Sequence, residues 1–379
     1  MDFSLTDAQM MLKQSITDFM RREAPPDVIS RLYQHSDGYD AGLYQRAAEQ
    51  GWLGMLLPEE YGGGGVTMMD CAVAYEEFGR GPLPAPVFSA GVAAPLIILQ
   101  AGSEEQKQRL LPAICRGEVL AVPAICDSGS GWGPELVESE LTRDGNRWRL
   151  SGTKRFVQDG SPASLYVAGA RQRGSSDVSL VLVERNQTGV SVRPHGDLLA
   201  SVAEVRFDSV PVPESAILGS IGGGWEALEV ALERALPILC AFQVGACQQI
   251  FEITTEYTRT RIAFGQPIGR FQRVQDHMVE LADQMDAARW ITYETIWKLD
   301  SGQPAEGAVH EAKAVASEGY YWVTNYAHMV WAGPGTAMDH PLMSHHIASR
   351  ILYQYLGDPA YHKRRMMDAL YPVEAGAAV

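Results

Sequence analysis

The chain has 379 residues, which is enough for about two or three domains of ordinary size. Apolar residues make up 46% of it and charged residues 20%, a composition that is typical of folded globular proteins and excludes a disordered chain. The formal net charge of -15 argues against a nucleic-acid-binding surface, because phosphate binding needs a concentrated positive field.

Other classes of protein are excluded by what the sequence lacks. It has no apolar run of about 18 residues or more, so we predict no membrane span. The first residues lack the basic and apolar regions of a signal peptide. The five cysteines form no CxxC pair, and His340, His345 and His346 do not have the spacing of metal ligands. We therefore expect a cytoplasmic protein with reduced thiols and no metal site.

The first zone, residues 1–118, has the pattern of an all-α domain. Apolar residues recur every three or four positions, the period of an amphipathic helix, in segments 3–20, 44–57, 68–78, 90–100 and 104–114. Ser103, followed by Glu105 and Gln106, has the pattern of a capping box at a helix start.

The second zone, residues 119–220, changes to a period of two, which is typical of β-strands. The apolar or alternating runs lie at 148–151, 165–168, 179–183 and 202–207. Residues 144–146 read Asp-Gly-Asn and predict a turn between two strands. This zone predicts a small antiparallel β-domain, either a barrel or a sandwich.

The third zone, residues 221–379, follows a run of glycines and is helical again. The segments 225–263, 272–300 and 305–330 are long and carry no strand signal. Long helices joined by short breaks predict an antiparallel bundle.

Four segments carry a family resemblance. They are Pro58–Gly63 (PEEYGG), Tyr75–Arg80 (YEEFGR), Gly102–Glu118 and Arg261–Gln272 (RIAFGQPIGRFQ). Together, and in this order, they resemble the acyl-CoA dehydrogenase family. The resemblance implies the acyl-CoA dehydrogenase fold: an N-terminal all-α domain, a central antiparallel β-barrel domain and a C-terminal four-helix bundle.

The resemblance also implies a chemistry. Members of the family are flavoproteins of lipid metabolism and β-oxidation that bind FAD between the subunits of a tetramer. They oxidise an acyl-CoA to the trans-2-enoyl-CoA, and an electron-transferring flavoprotein receives the electrons. A carboxylate removes the α-proton, so that base must lie within about 3 Å of a weakly acidic carbon in a dry site.

Cofactor contacts in the third zone are assigned through the same resemblance. Arg261 has a fork that suits a pyrophosphate and would reach the FAD of a neighbouring subunit. Phe264 would lie against the cofactor, and Gln272 near its adenosine end. Gly333 falls in the segment that receives the adenosine moiety, although there the chain departs from the family pattern with Met329 for Gln and an alanine for the first glycine.

The second zone would hold the rest of the flavin and the thioester. The loop Cys126–Trp132 takes the place of the family's Thr-Glu-x-Gly-x-Gly-Ser, which touches both. In it the resemblance assigns Cys126 and Asp127 to the cofactor and Ser128 and Trp132 to the substrate.

A second motif of this zone, Phe156-Val157-Gln158, matches the family's Trp-Ile-Thr. Phe156 would stack on the flavin as an aromatic wall, and Gln158 would hydrogen-bond to it.

The catalytic base is the main departure from the family. Its two usual positions correspond to Leu356 and Ala235, and neither side chain can accept a proton. The nearest acids, Glu233 and Asp358, are the candidate bases, each with an alternative role as a helix-surface charge or a turn residue. Gly357, in the same loop as Leu356, is assigned to the substrate.

Three functions remain open on the sequence alone. The chain is one subunit of a hetero-oligomeric acyl-CoA dehydrogenase with a second, related subunit, or a self-sufficient homotetramer that uses Glu233 or Asp358. The third alternative is a catalytically inactive structural partner that binds acyl-CoA or FAD.

Overall fold

The computed structural model describes residues 4–35, 38–84, 86–127, 131–145, 147–196 and 201–372. The chain divides into two compact units. The helical unit consists of Met1–Arg31, Met68–Leu83 and Leu236–Val379, and the sheet unit consists of Leu32–Thr67 and Pro84–Ala235. The predicted domain boundaries near residues 118 and 220 stay predictions.

Six helices precede the sheet among the described residues: α1 Asp7–Glu23, α2 Pro26–Tyr33, α3 Ala41–Glu49, α4 Met68–Arg80, α5 Ala94–Ala101 and α6 Glu104–Cys115. The predicted capping box is confirmed, since the Ser103 side chain accepts from the Gln106 amide and the Gln106 side chain accepts from the Ser103 amide. The helix predicted over 44–57 is wrong beyond Glu49, because Gly51 adopts a left-handed φ of 76° and ends the helix.

The sheet contains eight strands: β1 Ala121–Ala124, β2 Glu140–Asp144, β3 Arg147–Val157, β4 Leu165–Gln172, β5 Val178–Glu184, β6 Val190–Pro194, β7 Ala203–Val212 and β8 Ile217–Leu218. Their order is β6-β7-β3-β2-β4-β5-β8, with β1 also paired to β4. Most pairs are antiparallel as predicted, but β1 and β2 both run parallel to β4. Parallel strands need a long connection between them. The β2–β3 hairpin lies between β1 and β4 in the chain, and β3 with the loop after it lies between β2 and β4. The predicted turn at 144–146 includes Asn146, which lies outside the described residues.

The C-terminal helices are α7 Gly224–Thr260, α8 Gln272–Asp300, α9 Glu306–Trp331, α10 Pro341–Gln354 and α11 Pro359–Leu370. The predicted segments 272–300 and 305–330 match α8 and α9 closely. The predicted helix over 225–263 ends earlier, at Thr260, because the next residues form a two-stranded hairpin of β9 Ile262–Ala263 and β10 Gln266–Pro267. Left-handed φ angles at Phe264 and Gly265 make its turn.

Helix α7 is long and apolar enough, by length and composition, to cross a membrane. However, 83% of its most apolar window is buried inside the protein, as expected for a core helix.

Candidate active site

Both positions of the expected base carry buried hydrocarbon side chains. Ala235, on α7 in the sheet unit, is 0% exposed, and Leu356, between α10 and α11 in the helical unit, is 2% exposed. Leu356 has a left-handed φ of 58° and Gly357 a φ of 109°. The turn therefore has an unusual backbone conformation, although residue 356 carries no carboxylate.

Two side chains hold this turn, and the sequence predicted this role for neither of them. Lys313 on α9 donates to the carbonyl oxygen of Gly357 at 3.3 Å. His362 on α11 contacts the carbonyl oxygen of Leu356 through Nε2 at 3.1 Å, and its Nδ1 lies 2.8 Å from Nδ1 of His310. The local signals for these residues are weak, because a lysine or histidine in a helix normally indicates a solvated face.

The two candidate acids lie in different surroundings. Asp358 is the N-cap of α11, where its Oδ1 accepts from the amide of Tyr361 at 2.7 Å. That bond satisfies a backbone donor at the helix start, which is the ordinary role of a capping aspartate. Glu233 is half-buried on α7 in the sheet unit.

The hairpin after α7 presents the two residues that the resemblance assigns to the cofactor. Phe264 at its tip is 95% exposed. Arg261 is exposed, and no carboxylate forms an ion pair with it among the described residues. Gln272, the first residue of α8, is also exposed. The exposed ring of Phe264 and the exposed guanidinium of Arg261 are side chains able to contact a group outside this unit.

The adenosine-binding segment keeps an unusual backbone despite its substitutions. Ala332 has φ 51° and ψ −134°, a conformation that glycine adopts and other residues avoid. Gly333 is exposed, and a Cβ there would meet nothing within 4 Å. Trp331 anchors the segment by stacking on Tyr257, with centroids 3.8 Å apart. Met329, in place of the family's Gln, is largely exposed.

In the sheet unit, the carboxylate of Asp127 is directed inward. It accepts from Nζ of the fully buried Lys154 at 2.6 Å, from the amide of Glu138 at 2.8 Å and from both the amide and the hydroxyl of Ser139. Burial raises the pKa of the neighbouring Cys126 to about 11, so that thiol is protonated at neutral pH. Ser128 lies outside the described residues.

The Phe156 loop combines an open ring with an inward-facing amide. Phe156 is 47% exposed and stacks on His195, with ring centroids 4.7 Å apart. Gln158 donates through Nε2 to Oδ1 of Asp159 at 3.1 Å and to the hydroxyl of Ser201 at 2.8 Å. The hydrogens of the Gln158 amide are thus used inside the unit. Elsewhere in it, Trp132 packs on Trp225 with centroids 5.9 Å apart.

Asp159 is a buried acid that the sequence analysis overlooked, although it directly follows the Phe156 motif. Its carboxylate also accepts from the hydroxyl of Ser89, and burial raises its pKa to about 6. Within the described residues, no group of three or more His, Cys, Asp or Glu side chains is arranged to hold a metal ion.

Comparison with known proteins gives the same family along the whole chain. Three domain-family profiles match: the acyl-CoA dehydrogenase N-terminal domain at residues 6–118, the middle domain at 124–210 and the C-terminal domain at 222–371. The chain is 29% identical over 373 residues to the acryloyl-CoA reductase (NADH) of Anaerotignum propionicum, covering 96% of this chain and 94% of that protein.

Two solved structures extend the comparison. One, described as the electron transferring flavoprotein of Acidaminococcus fermentans, has a chain that is 26% identical with a TM-score of 0.88, covering 98% of this chain and 100% of that one. Another, the Tcur3481–Tcur3483 steroid ACAD, is 26% identical with a TM-score of 0.84, covering 96% and 98%. These matches confirm the resemblance and the predicted helix–sheet–helix order, and the chain belongs to the acyl-CoA dehydrogenase family of FAD-dependent oxidoreductases.

Proposed function

We propose that the chain is a subunit of a FAD-dependent acyl-CoA dehydrogenase, and that a second chain of the same family supplies the catalytic carboxylate. The reaction is the α,β-desaturation of an acyl-CoA thioester to the 2-enoyl-CoA. The observation that carries the proposal is that both positions for the base, Ala235 and Leu356, are buried and cannot ionise. A weakly acidic α-carbon needs a positioned proton acceptor, so the acid must come from elsewhere.

The described residues fit FAD as the cofactor. Arg261 offers a guanidinium with no acid partner, and Phe264 offers an almost fully exposed ring. Ala332 keeps a glycine-like backbone, although an alanine resists that conformation. When bound, FAD supplies the hydride acceptor. Arg261 would hold its pyrophosphate, while Phe264, Gln272 and Gly333 would line the cofactor from this chain.

The sheet unit would contribute contacts rather than acid–base chemistry. Phe156 is partly exposed and would face the flavin, Cys126 would border the cofactor, and Trp132 would border the substrate. Asp127 is neutralised by Lys154, which makes it a support for the loop. Leu356 would exclude water from the reacting carbon, since a hydrocarbon side chain occupies the place of an acid.

The hairpin geometry supports an oligomeric enzyme. Arg261 and Phe264 are exposed in their own unit, as expected of residues that reach a cofactor in a neighbouring subunit. The similar steroid ACAD carries a paired name, Tcur3481–Tcur3483, which agrees with a two-chain assembly. We propose a cytoplasmic hetero-tetramer that passes electrons to an electron-transferring flavoprotein.

Co-expression tests the proposal directly. The chain is purified alone and with a homologue that carries the family's glutamate, and native mass, flavin absorbance and acyl-CoA-dependent reduction of an acceptor are measured. We expect flavin and turnover only in the mixed assembly. A chain that is yellow and active alone would instead identify Glu233 or Asp358 as its base. A mixed assembly that binds acyl-CoA without turnover would identify a structural partner.

A matched pair of arginine variants tests the cofactor contact. Arg261→Ala in the mixed assembly is expected to lower the flavin content at least tenfold. Arg259→Ala, an exposed arginine two residues earlier, is the control and is expected to leave the flavin content unchanged. Equal flavin content in both variants would contradict the assignment of Arg261.

A further inference from the structure

We propose that Lys313 and the His310–His362 pair form a clamp that fixes the orientation of residue 356, so that this position is a latent proton-acceptor site which a single carboxylate restores. The part that concerns proton transfer rests on the proposed function, whereas the clamp itself is a property of the chain alone. The three side chains are positioning residues: Lys313 and His362 contact the backbone of the turn, and His310 contacts the ring of His362.

Lys313 uses every hydrogen of its ammonium inside the helical unit. Nζ donates to the hydroxyl of Ser317 at 2.7 Å and to the carbonyl oxygens of Leu352 at 3.2 Å and Gly357 at 3.3 Å. The side chain is fully buried, and no carboxylate forms an ion pair with it among the described residues. A buried charge without an acid is unfavourable unless other groups solvate it. Here the carbonyls of Leu352, at the end of α10, and Gly357, in the turn, solvate the ammonium. The turn therefore stabilises the buried charge, and the charge stabilises the turn.

The histidine pair holds the carbonyl of Leu356, the residue before Gly357. The hydrogen bonds of the two rings determine their tautomers. Because the carbonyl oxygen of Leu356 only accepts, Nε2 of His362 must carry a hydrogen. Burial lowers the pKa of His362 to about 2 and that of His310 to about 4, so both rings are neutral at neutral pH. Nδ1 of His362 then has only a lone pair, and His310 must donate to it through Nδ1. Two consecutive carbonyls are therefore held from two different helices.

The turn is one that the sequence alone would not adopt easily. A left-handed φ costs a leucine on the order of 1 kcal/mol. Gly357 is required because a Cβ there would lie 2.6 Å from Nε2 of His362. Strain held by buried hydrogen bonds is characteristic of functional positions. The clamp thus keeps the backbone of residue 356 in a fixed conformation at the position of the family's catalytic base. Only the carboxylate of that base is missing there.

A thiol placed at residue 356 tests the clamp without any flavin. In the full-length chain, Leu356→Cys is expected to react slowly with an aromatic disulfide reagent, because the native side chain is buried. Adding Lys313→Met or His362→Phe is expected to accelerate that reaction at least tenfold. Adding His362→Gln is expected to retain most of the protection, since an amide N–H can still donate to the carbonyl.

A second cysteine separates the clamp from general loosening. Leu342→Cys, equally buried on α10, is expected to keep its reactivity in the same clamp variants. Equal acceleration at both sites would mean that the variants loosen the whole unit and would overturn the clamp. Unchanged reactivity at residue 356 would overturn it as well. The reaction of the native cysteines with the reagent is measured in the variants that lack the introduced thiol, and it is subtracted.

Leu356→Glu tests the latent site in the flavin-loaded assembly with a partner whose own glutamate is replaced by Gln. We expect exchange of the acyl-CoA α-proton with deuterated solvent to rise at least a hundredfold over wild type, within the range of general-base catalysis. Leu356→Gln is the neutral control, and adding His362→Phe is expected to remove most of the gain. An assembly that binds flavin and acyl-CoA without this gain overturns the latent site. An assembly that never binds flavin overturns the proposed function, and the thiol experiment still decides the clamp.

Discussion

Among the described residues, the chain buries a lysine in each unit, and the two are stabilised in different ways. Lys154 in the sheet unit donates to the carboxylate of Asp127 at 2.6 Å and to the carbonyl of Ile125 at 2.6 Å. Lys313 in the helical unit has only a hydroxyl and two carbonyls. Burial lowers the pKa of both, and Asp127 partly offsets the shift at Lys154. At Lys313 the pKa falls to about 8.

The difference separates two uses of a buried cation. Lys154 and Asp127 neutralise one another within the sheet unit, so removing either leaves a charge behind. Removing Lys313 leaves only neutral oxygen atoms without a donor. The Lys154–Asp127 pair supports the loop that follows β1, whereas Lys313 supports the backbone turn at Gly357. We expect the two sites to respond differently to the same substitution.

The largest effect is expected at Lys154. Lys154→Met leaves the buried carboxylate of Asp127 unpaired, and we expect a loss of about 3–5 kcal/mol in the free energy of unfolding. Urea denaturation measures it. Arg149→Met, which breaks an exposed pair with Asp144, is the control and should cost less than about 1 kcal/mol. If Lys154→Met and Arg149→Met cost the same, the Lys154–Asp127 pair does not behave as a buried ion pair.

At Lys313 we expect a smaller loss. Lys313→Met removes a desolvated charge and leaves the carbonyls of Leu352 and Gly357 without this donor, so the cost should be about 1–3 kcal/mol. The same urea experiment measures it. If Lys313→Met lowers the free energy of unfolding more than Lys154→Met does, Lys313 is not stabilised by neutral groups alone, and an acid must pair with it.

This contrast also marks what a sequence allows one to predict. The capping box of Ser103 and Gln106 and the span of α8 follow from local patterns, because each depends on residues within a few positions of one another. The contact between Lys313 and the carbonyl of Gly357 joins residues 44 positions apart, and nothing local signals it. The parallel pairing of β1 with β4 was missed for the same reason.

The candidate site follows the same rule. The absence of a carboxylate at Leu356 and Ala235 could be predicted from the sequence, since a motif fixes those positions. Asp159 was visible too, one position beyond a motif, but its burial against Ser89 depends on a distant helical segment. That Asp358 caps α11 depends on the position of Tyr361, three residues later, and a Gly-Asp-Pro sequence already favours such a role.

The stability of the chain is expected to depend on pH through Lys313. The pKa of Lys313 is about 8 in the folded chain and about 10.4 when unfolded, so between these values the unfolded state binds more protons. The unfolding free energy of wild type relative to Lys313→Met should therefore rise with pH from about 8 to 10.4, by on the order of 1–3 kcal/mol. Of the two acidic groups that act on the pKa of Lys313, Asp358 and Cys240, the Cys240 thiol is neutral in this range because burial raises its pKa to about 12. Denaturation of both proteins across this range measures the difference, and a flat difference would contradict it.

A smaller effect is expected at a turn that no buried lysine holds. Ala332 has a backbone suited to glycine, and its main-chain groups hydrogen-bond to those of His328 and Gly335. Ala332→Gly should relieve strain and stabilise the chain by about 1 kcal/mol. Ala327→Gly, in the interior of α9, is the control and should destabilise by about 1 kcal/mol. Thermal unfolding compares the two, and destabilisation by both would show that Ala332 is not strained.

The smallest effect on stability is expected where a residue serves only the assembly. Phe264 is almost fully exposed at the tip of the hairpin, so Phe264→Ser removes little buried area and should change the free energy of unfolding by less than about 0.5 kcal/mol. Its ring lies edge-on to the ring of Phe271, with centroids 6.0 Å apart. In the mixed assembly the same substitution should lower flavin retention, because the ring would lie against the cofactor. Urea denaturation of the chain and flavin release from the assembly measure the two effects separately. Lost stability with unchanged flavin retention would assign Phe264 to the fold instead, and the hairpin would then belong with Lys154 among the features that the chain needs for its own folding.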